Sequence, residues 1–140
     1  MDAGALHRLA RHLRDLATQA TARPGEPTPS PGLIAVVEDV ARHPGSAVGE
    51  VAARTGLAQS FVSKTVAALR DEGLLVSVPD AADRRRTTVT LAPGVRQDVL
   101  LPRARTPLAE TLRTAHPDLS AEQLDRAGEL LDELGTLLRP

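Results

Sequence analysis

Three adjacent arginines, Arg84, Arg85 and Arg86, stand in the stretch DAADRRRTTVTLAPG that runs from Asp80 to Gly94. Guanidinium groups grip phosphate and carboxylate oxygens through forked hydrogen bonds, so such a triplet is the residue set of an anion-binding loop. By itself a charge run is usually a solvated surface, and its neighbours decide between the two readings. Other residues that could do chemistry are few. The histidines are His7, His12, His43 and His116. His7 and His12 are five apart, off the i, i+4 spacing that presents two ligands on one helix face, and no cysteine assists, so no metal site is expected. The carboxylate pairs Glu38-Asp39 and Asp132-Glu133 read as solvated helix faces. G-x-S-x-G, H-E-x-x-H and phosphate-loop patterns are absent from the sequence, so neither an enzyme nor a cofactor is expected.

Composition narrows the class further. At 140 residues the chain is long enough for one real core and a smaller satellite. No window offers the run of apolar residues a membrane span needs, and the first twenty residues interleave Arg and His with Leu. A soluble, cytoplasmic protein without a membrane partner is expected. The absence of cysteine excludes thiol-based redox sensing. The net charge is −1, with residues 1–45 neutral (five basic, five acidic), 46–91 at +1 (six, five) and 92–140 at −2 (six, eight). This gradient is shallow. Phe61 is the sole aromatic, which leaves no stacking platform for single-stranded nucleic acid.

The elements that must position the arginines can be read from spacing. Leu6, Leu9, Leu13 and Leu16 form a 3-4-3 stripe on a helix predicted from an Asp2 cap to about Ala22. RPGEPTPSPG, residues 23–32, is a proline-stiffened connector. Ser30 and Pro31 cap a second helix that ends at His43-Pro44-Gly45. A short helix at about Val48 to Thr55, then Gly56, then a longer helix from Gln59 to Glu72 make a helix-turn-helix pattern. In the longer helix Val62, Thr65, Val66 and Leu69 share one face, and Ser60, Lys64 and Ala67 point the other way, which suits a helix lying in a major groove. Phe61, on the flank, either packs in the core or touches thymine methyls. Leu74 to Val78 and Thr87 to Leu91 read as a β-hairpin with Val89 and Leu91 inward. The arginines therefore sit at a hairpin tip. Helical pattern resumes after Pro93, with a break expected near residues 102–106 because Pro102 and Pro107 each remove a backbone donor, and with Thr106-Pro107 as a fresh cap. A last helix starts at a Ser120/Gln123 capping box and carries Leu124, Leu131, Leu134 and Leu138. The two leucine stripes lack a third layer to cover them, so a two-fold interface is their expected use.

This order of elements resembles the winged-helix transcriptional regulators of the MarR (multiple antibiotic resistance regulator) family. Two local patterns carry the likeness: Leu57-x-x-Ser60-x-Val62-Ser63-x-x-Val66-x-x-Leu69-x-x-x-Gly73-Leu74, and Asp83-x-Arg85 followed by Val89-x-Leu91. The resemblance implies a mainly α fold with a small β-hairpin wing: an N-terminal dimerisation helix (1–22), a connector (23–32), a winged helix-turn-helix (33–92) and C-terminal dimerisation helices (93–140). It also implies that Gln59, Ser60, Ser63 and Lys64 contact the groove or phosphates, that Arg85 enters the minor groove with Asp83 orienting it, and that Arg84 and Arg86 touch phosphates. The chain departs from the family's pattern at Ala47 and Ala58, where a hydroxyl cap is usual; Ser46 is expected to cap the first helix of the motif instead. The function implied is that of a homodimeric repressor on a pseudo-palindromic operator in double-stranded DNA, relieved by a small-molecule effector. An alternative, favoured by the modest charge and the lone lysine, is a dimeric winged-helix module that binds another regulator.

Overall fold

A computed structural model describes residues 1–138. Their elements are α1 (Ala3–Thr21), α2 (Pro31–Arg42), β1 (Ser46–Ala47), α3 (Val48–Thr55), α4 (Gln59–Asp71), β2 (Leu75–Pro79), β3 (Thr87–Leu91), a π-turn segment (Arg96–Leu100), α5 (Leu101–Ala104), α6 (Ala109–Ala115) and α7 (Ala121–Leu137). The fold is mainly α with a small antiparallel wing. The chain forms two compact units, one of Pro29–Pro102 and one of Met1–Thr28 with the segment from Arg103 onward.

The Pro29–Pro102 unit is built around a valine-rich core. Val36 and Val40 from α2, Val51 from α3 and Val62 from α4 are completely buried, and Val66, Leu69, Leu75 and Val89 close around them. Each such side chain contributes roughly 1.5–3 kcal/mol by leaving water. The core-facing stripe read from the sequence of α4 is thus the one the fold buries. Ser30 caps α2, its hydroxyl accepting the Leu33 N–H at 3.2 Å, with Pro31 as the first helical residue.

The strands form one sheet in the order β1-β3-β2, with Ser46 and Ser77 flanking Val89 on either side. Sequence alternation had no means of disclosing the two-residue β1. The first wing strand starts at Leu75 rather than the expected Leu74, because the Leu74 N–H closes the end of α4 on the Leu69 carbonyl at 2.8 Å. Ser46 does not cap α3, contrary to expectation. Its hydroxyl donates to the His43 carbonyl at 2.7 Å and accepts from Arg54 at 2.6 Å. The cap is supplied by Glu50, whose carboxylate reaches back to the Ala47 N–H at 2.8 Å.

After Pro93 the chain winds wide, the Leu101 N–H bonding the Arg96 carbonyl, before α5. Helix stops at Ala104 and resumes only at Ala109. Pro107 lies outside α6, so Thr106 is not its cap; Leu108 is the preceding residue and no side chain caps that end.

In the other unit α1 packs on α6 and α6 on α7. Asp2 caps α1 by accepting the Ala5 N–H at 2.7 Å, and Ser120 with Gln123 closes the reciprocal box on α7. Leu16 and Leu112 are buried, and Leu9, Leu13, Leu124 and Leu131 are half-buried. Leu6, Leu130, Leu134, Leu137 and Leu138 remain exposed, Leu137 at 73%. On α7 these leucines form one broad arc at 100° per residue: the Leu124–Leu131 edge is half-covered, and the Leu130–Leu134–Leu137 edge is bare.

Candidate nucleic-acid interface

The helix-turn-helix is set by one backbone position. Gly56 ends α3 with φ of 70°, a left-handed conformation that costs a residue with a Cβ, and its N–H closes on the Ala52 carbonyl at 3.0 Å. The turn is completed where Thr55 Oγ1 accepts the Leu57 N–H at 3.4 Å. With Val62, Val66 and Leu69 buried beneath α4, the expected contact residues Gln59, Ser60, Ser63 and Lys64 all lie exposed along its start and outer side.

Phe61 follows neither of its two expected roles cleanly. It is 39% exposed and lies over the first turn of α2, where a Cβ on Gly32 would stand 2.7 Å from the ring's Cζ. Only glycine at position 32 admits the ring at that distance. Phe61 therefore joins α4 to α2 from outside the buried cluster, with one edge in solvent.

The wing tip is a self-closed loop. The Asp80 N–H donates to the Arg86 carbonyl at 2.9 Å and the Arg86 N–H to the Asp83 carbonyl at 2.9 Å. Asp80 Oδ1 accepts the Ala82 N–H at 2.8 Å, and Asp83 Oδ1 the Arg85 N–H at 3.0 Å. Asp83 thus orients Arg85 through the backbone, as an Asx turn does. It does not grip the guanidinium, so the expected restraint on the Arg85 side chain is a restraint on its Cα direction instead. Arg84 and Arg85 are exposed and, among the described residues, take part in no ion pair.

Arg86 differs from both. Its Nη2 donates to Glu50 Oε1 at 2.9 Å, tying the wing loop to the start of α3. Glu50 therefore bridges a helix cap and a wing arginine. The Ala47 N–H, and after it Arg86, hold the Glu50 carboxyl below its usual range, and Glu50 in turn raises Arg86. A second ion pair braces the motif from behind. Arg54 clasps Asp39 with bonds of 2.9 and 2.7 Å and also reaches Ser46, so α3, α2 and the turn between them are cross-linked. Hydrogen bonding to Asp39 raises the Arg54 pKa. Glu50 and Arg54 were not singled out in the sequence, and Asp39, expected on a solvated helix face, is instead held by Arg54 with its side chain only 10% exposed. A glutamate three residues after a candidate cap was the one signal available for Glu50.

A helix-turn-helix joined to an arginine-tipped β-hairpin, both mounted on one core, defines a winged helix-turn-helix protein. Residues 36–86 match the family model described as MarR family. The fold over nearly the whole chain is that of MarR-type regulators. The apo form of MarR from E. coli aligns with a TM-score of 0.65 at 13% identity, covering 96% of this chain and 97% of that one. The multiple antibiotic-resistance repressor of Listeria monocytogenes aligns at 0.64 with 18% identity over 98% and 91%. BpsR of Bordetella bronchiseptica aligns at 0.56 with 22% identity over 96% and 93%. No curated protein matches the sequence. Among the described residues no helix is long and apolar enough to cross a membrane.

Proposed function

We propose that this protein is a cytoplasmic, homodimeric transcriptional regulator that binds a pseudo-palindromic site in double-stranded DNA and acts as a repressor relieved by a small ligand. The observation that carries the reading is the joint mounting of two exposed polar features on the Val36–Val89 core: the outer side of α4 and the Arg84-Arg85 tip. A helix of this width fits the major groove, and an arginine entering a narrow A·T-rich minor groove gains from the strong negative potential there. On this reading Gln59, Ser60, Ser63 and Lys64 contact base edges or phosphates, Arg85 enters the minor groove and Arg84 meets a phosphate. Arg86 reaches phosphate by exchanging Glu50 for it.

Dimerisation is supported by the bare edge of the α7 arc together with Leu6, apolar surface that the described residues of the protomer leave uncovered. Two-fold symmetry then sets half-sites about 10 bp apart. Control by a ligand is proposed by analogy with BpsR, whose DNA binding is regulated by 6-hydroxynicotinic acid.

Selection from random duplex DNA tests the reading. An inverted repeat is expected, with affinity that falls steeply with salt and less steeply in Arg84→Ala or Arg85→Ala. Sedimentation is expected to give a dimer that Leu134→Glu dissociates. Absence of any selected motif, together with salt-insensitive binding, overturns the proposal in favour of a protein-binding module.

A further inference from the structure

The sequence offered His7 and His12 as the one local histidine pair and rejected it on spacing. The fold makes a different pair. His12 on α1 and His116, which follows α6, bring their Nε2 atoms to 3.0 Å across 104 positions of sequence. The ring centroids are 5.1 Å apart and the planes cross at 77°. At that separation the two nitrogens share one hydrogen: one ring donates, the other accepts, and neither can turn its other nitrogen inward without breaking the contact.

Where two imidazole nitrogens meet around a single hydrogen, a metal ion can take the hydrogen's place once the donor ring's proton moves to its Nδ1, which leaves both rings neutral with a lone pair on each Nε2. Bonds of about 2.0–2.1 Å at a tetrahedral angle would place the nitrogens about 3.3 Å apart. Opening the present gap by about 0.3 Å is within reach of small side-chain rotations. Crossed ring planes keep the rings from colliding as both lone pairs turn toward a common point. His12 is exposed and His116 half-buried, so water can complete the coordination sphere.

We propose that His12 and His116 form a two-histidine site for a divalent transition-metal ion of the borderline class, copper(II), nickel(II) or zinc(II). Imidazole suits these ions and not calcium or magnesium, and the affinity order places copper(II) first. Among the described residues no group of three or more His, Cys, Asp or Glu gathers. The ion is therefore held by two protein ligands and water, as an exchangeable ligand and not as a folding staple. Since α1 packs on α6, the bound ion would clip α1 to the turn that leads into α7. The two histidines and the wing belong to different units of the chain, and the proposal is independent of the DNA-binding reading.

Titration calorimetry of the tag-free full chain with copper(II), nickel(II) or zinc(II) chloride tests it, with zinc-induced shifts of the histidine ring nitrogens in NMR as a second readout. One ion per protomer is expected. His12→Gln or His116→Gln is expected to weaken binding by at least about tenfold, the scale on which losing even an outer partner weakens a metal site. His7→Gln and His43→Gln are expected to leave binding unchanged, and circular dichroism verifies that each variant is folded. Either binding that survives both the His12 and His116 variants, or no binding by the wild type at millimolar metal, overturns the proposal.

Discussion

Glu50→Gln separates two roles that Glu50 combines. Its Oε2 accepts the Ala47 N–H at 2.8 Å and its Oε1 accepts Arg86 at 2.9 Å. Glutamine keeps an amide oxygen for the helix cap but presents an NH2 where Arg86 needs an acceptor. The cap of α3 survives and Arg86 is released. Both side chains of the pair are 48% exposed, so losing it should change folding stability little. The effect on DNA is larger. Each arginine that gains a phosphate adds about 0.9 to the slope of log K against log salt, or about 1.8 for two protomers. Between about 50 and 200 mM salt that is roughly a further tenfold fall in affinity, with correspondingly tighter binding at the low end. Fluorescence anisotropy on a selected operator across that range measures it, and Arg86→Ala placed on top of Glu50→Gln is expected to remove the gain. An unchanged slope with weaker binding at every salt concentration would refute the reasoning: Arg86 would then serve DNA binding solely by holding the wing to α3.

Other substitutions probe how the interface is mounted. Gly32→Ala places a Cβ against the Phe61 ring, and since the ring is partly exposed it should swing outward at a cost of about 1 kcal/mol, partly offset by the better helix former. Phe61 is the sole aromatic, so its ring resonances report the movement directly in NMR. Asp39→Ala removes both carboxylate oxygens that Arg54 grips, leaving it the Ser46 hydroxyl, and is expected to lower stability by about 1.5–3 kcal/mol, read from urea unfolding. Acid weakens the anchoring of the wing. Because the Glu50 carboxyl is held below its ordinary 4.5, its contacts stabilise the fold above that pH and are lost as pH falls through the lowered value. Arg86→Ala should move the Glu50 titration, followed by carboxyl NMR, upward but not fully back, since the Ala47 N–H is the larger cause.

Most of the architecture was legible because its signals are local. The stripe of α1, the Ser30-Pro31 start of α2, Gly56 between α3 and α4, and the alternation of Thr87 to Leu91 each lie within a few residues and report burial by period. The exposed placing of Ser60 and Lys64 followed from the same arithmetic, as the face opposite Val62, Val66 and Leu69, with Gln59 and Ser63 on its flanks. What stayed hidden was long-range or too short to have a period. β1 has two residues. The Arg86–Glu50, Arg54–Asp39 and His12–His116 pairs span 36, 15 and 104 positions, and no local rule couples residues at those separations. Ser46 was assigned to capping because a hydroxyl next to a helix start is usually a cap. The fold gave that role to a carboxylate three residues into the helix, which freed the hydroxyl to hold Arg54.

The start of α4 carries no side-chain cap hydrogen bond among the described residues. Ala58 provides no side-chain acceptor there, whereas the corresponding end of α3 is covered by the Glu50 carboxylate. Aligned peptide dipoles leave about half a positive charge at a helix N-terminus. In α3 that partial charge is neutralised from within the chain, and in α4 it faces outward beside Gln59 and Ser60. A formal count of −1 registers side chains alone. The electric potential at the start of α4 is therefore more positive than the sequence's ledger of lysines and arginines would indicate.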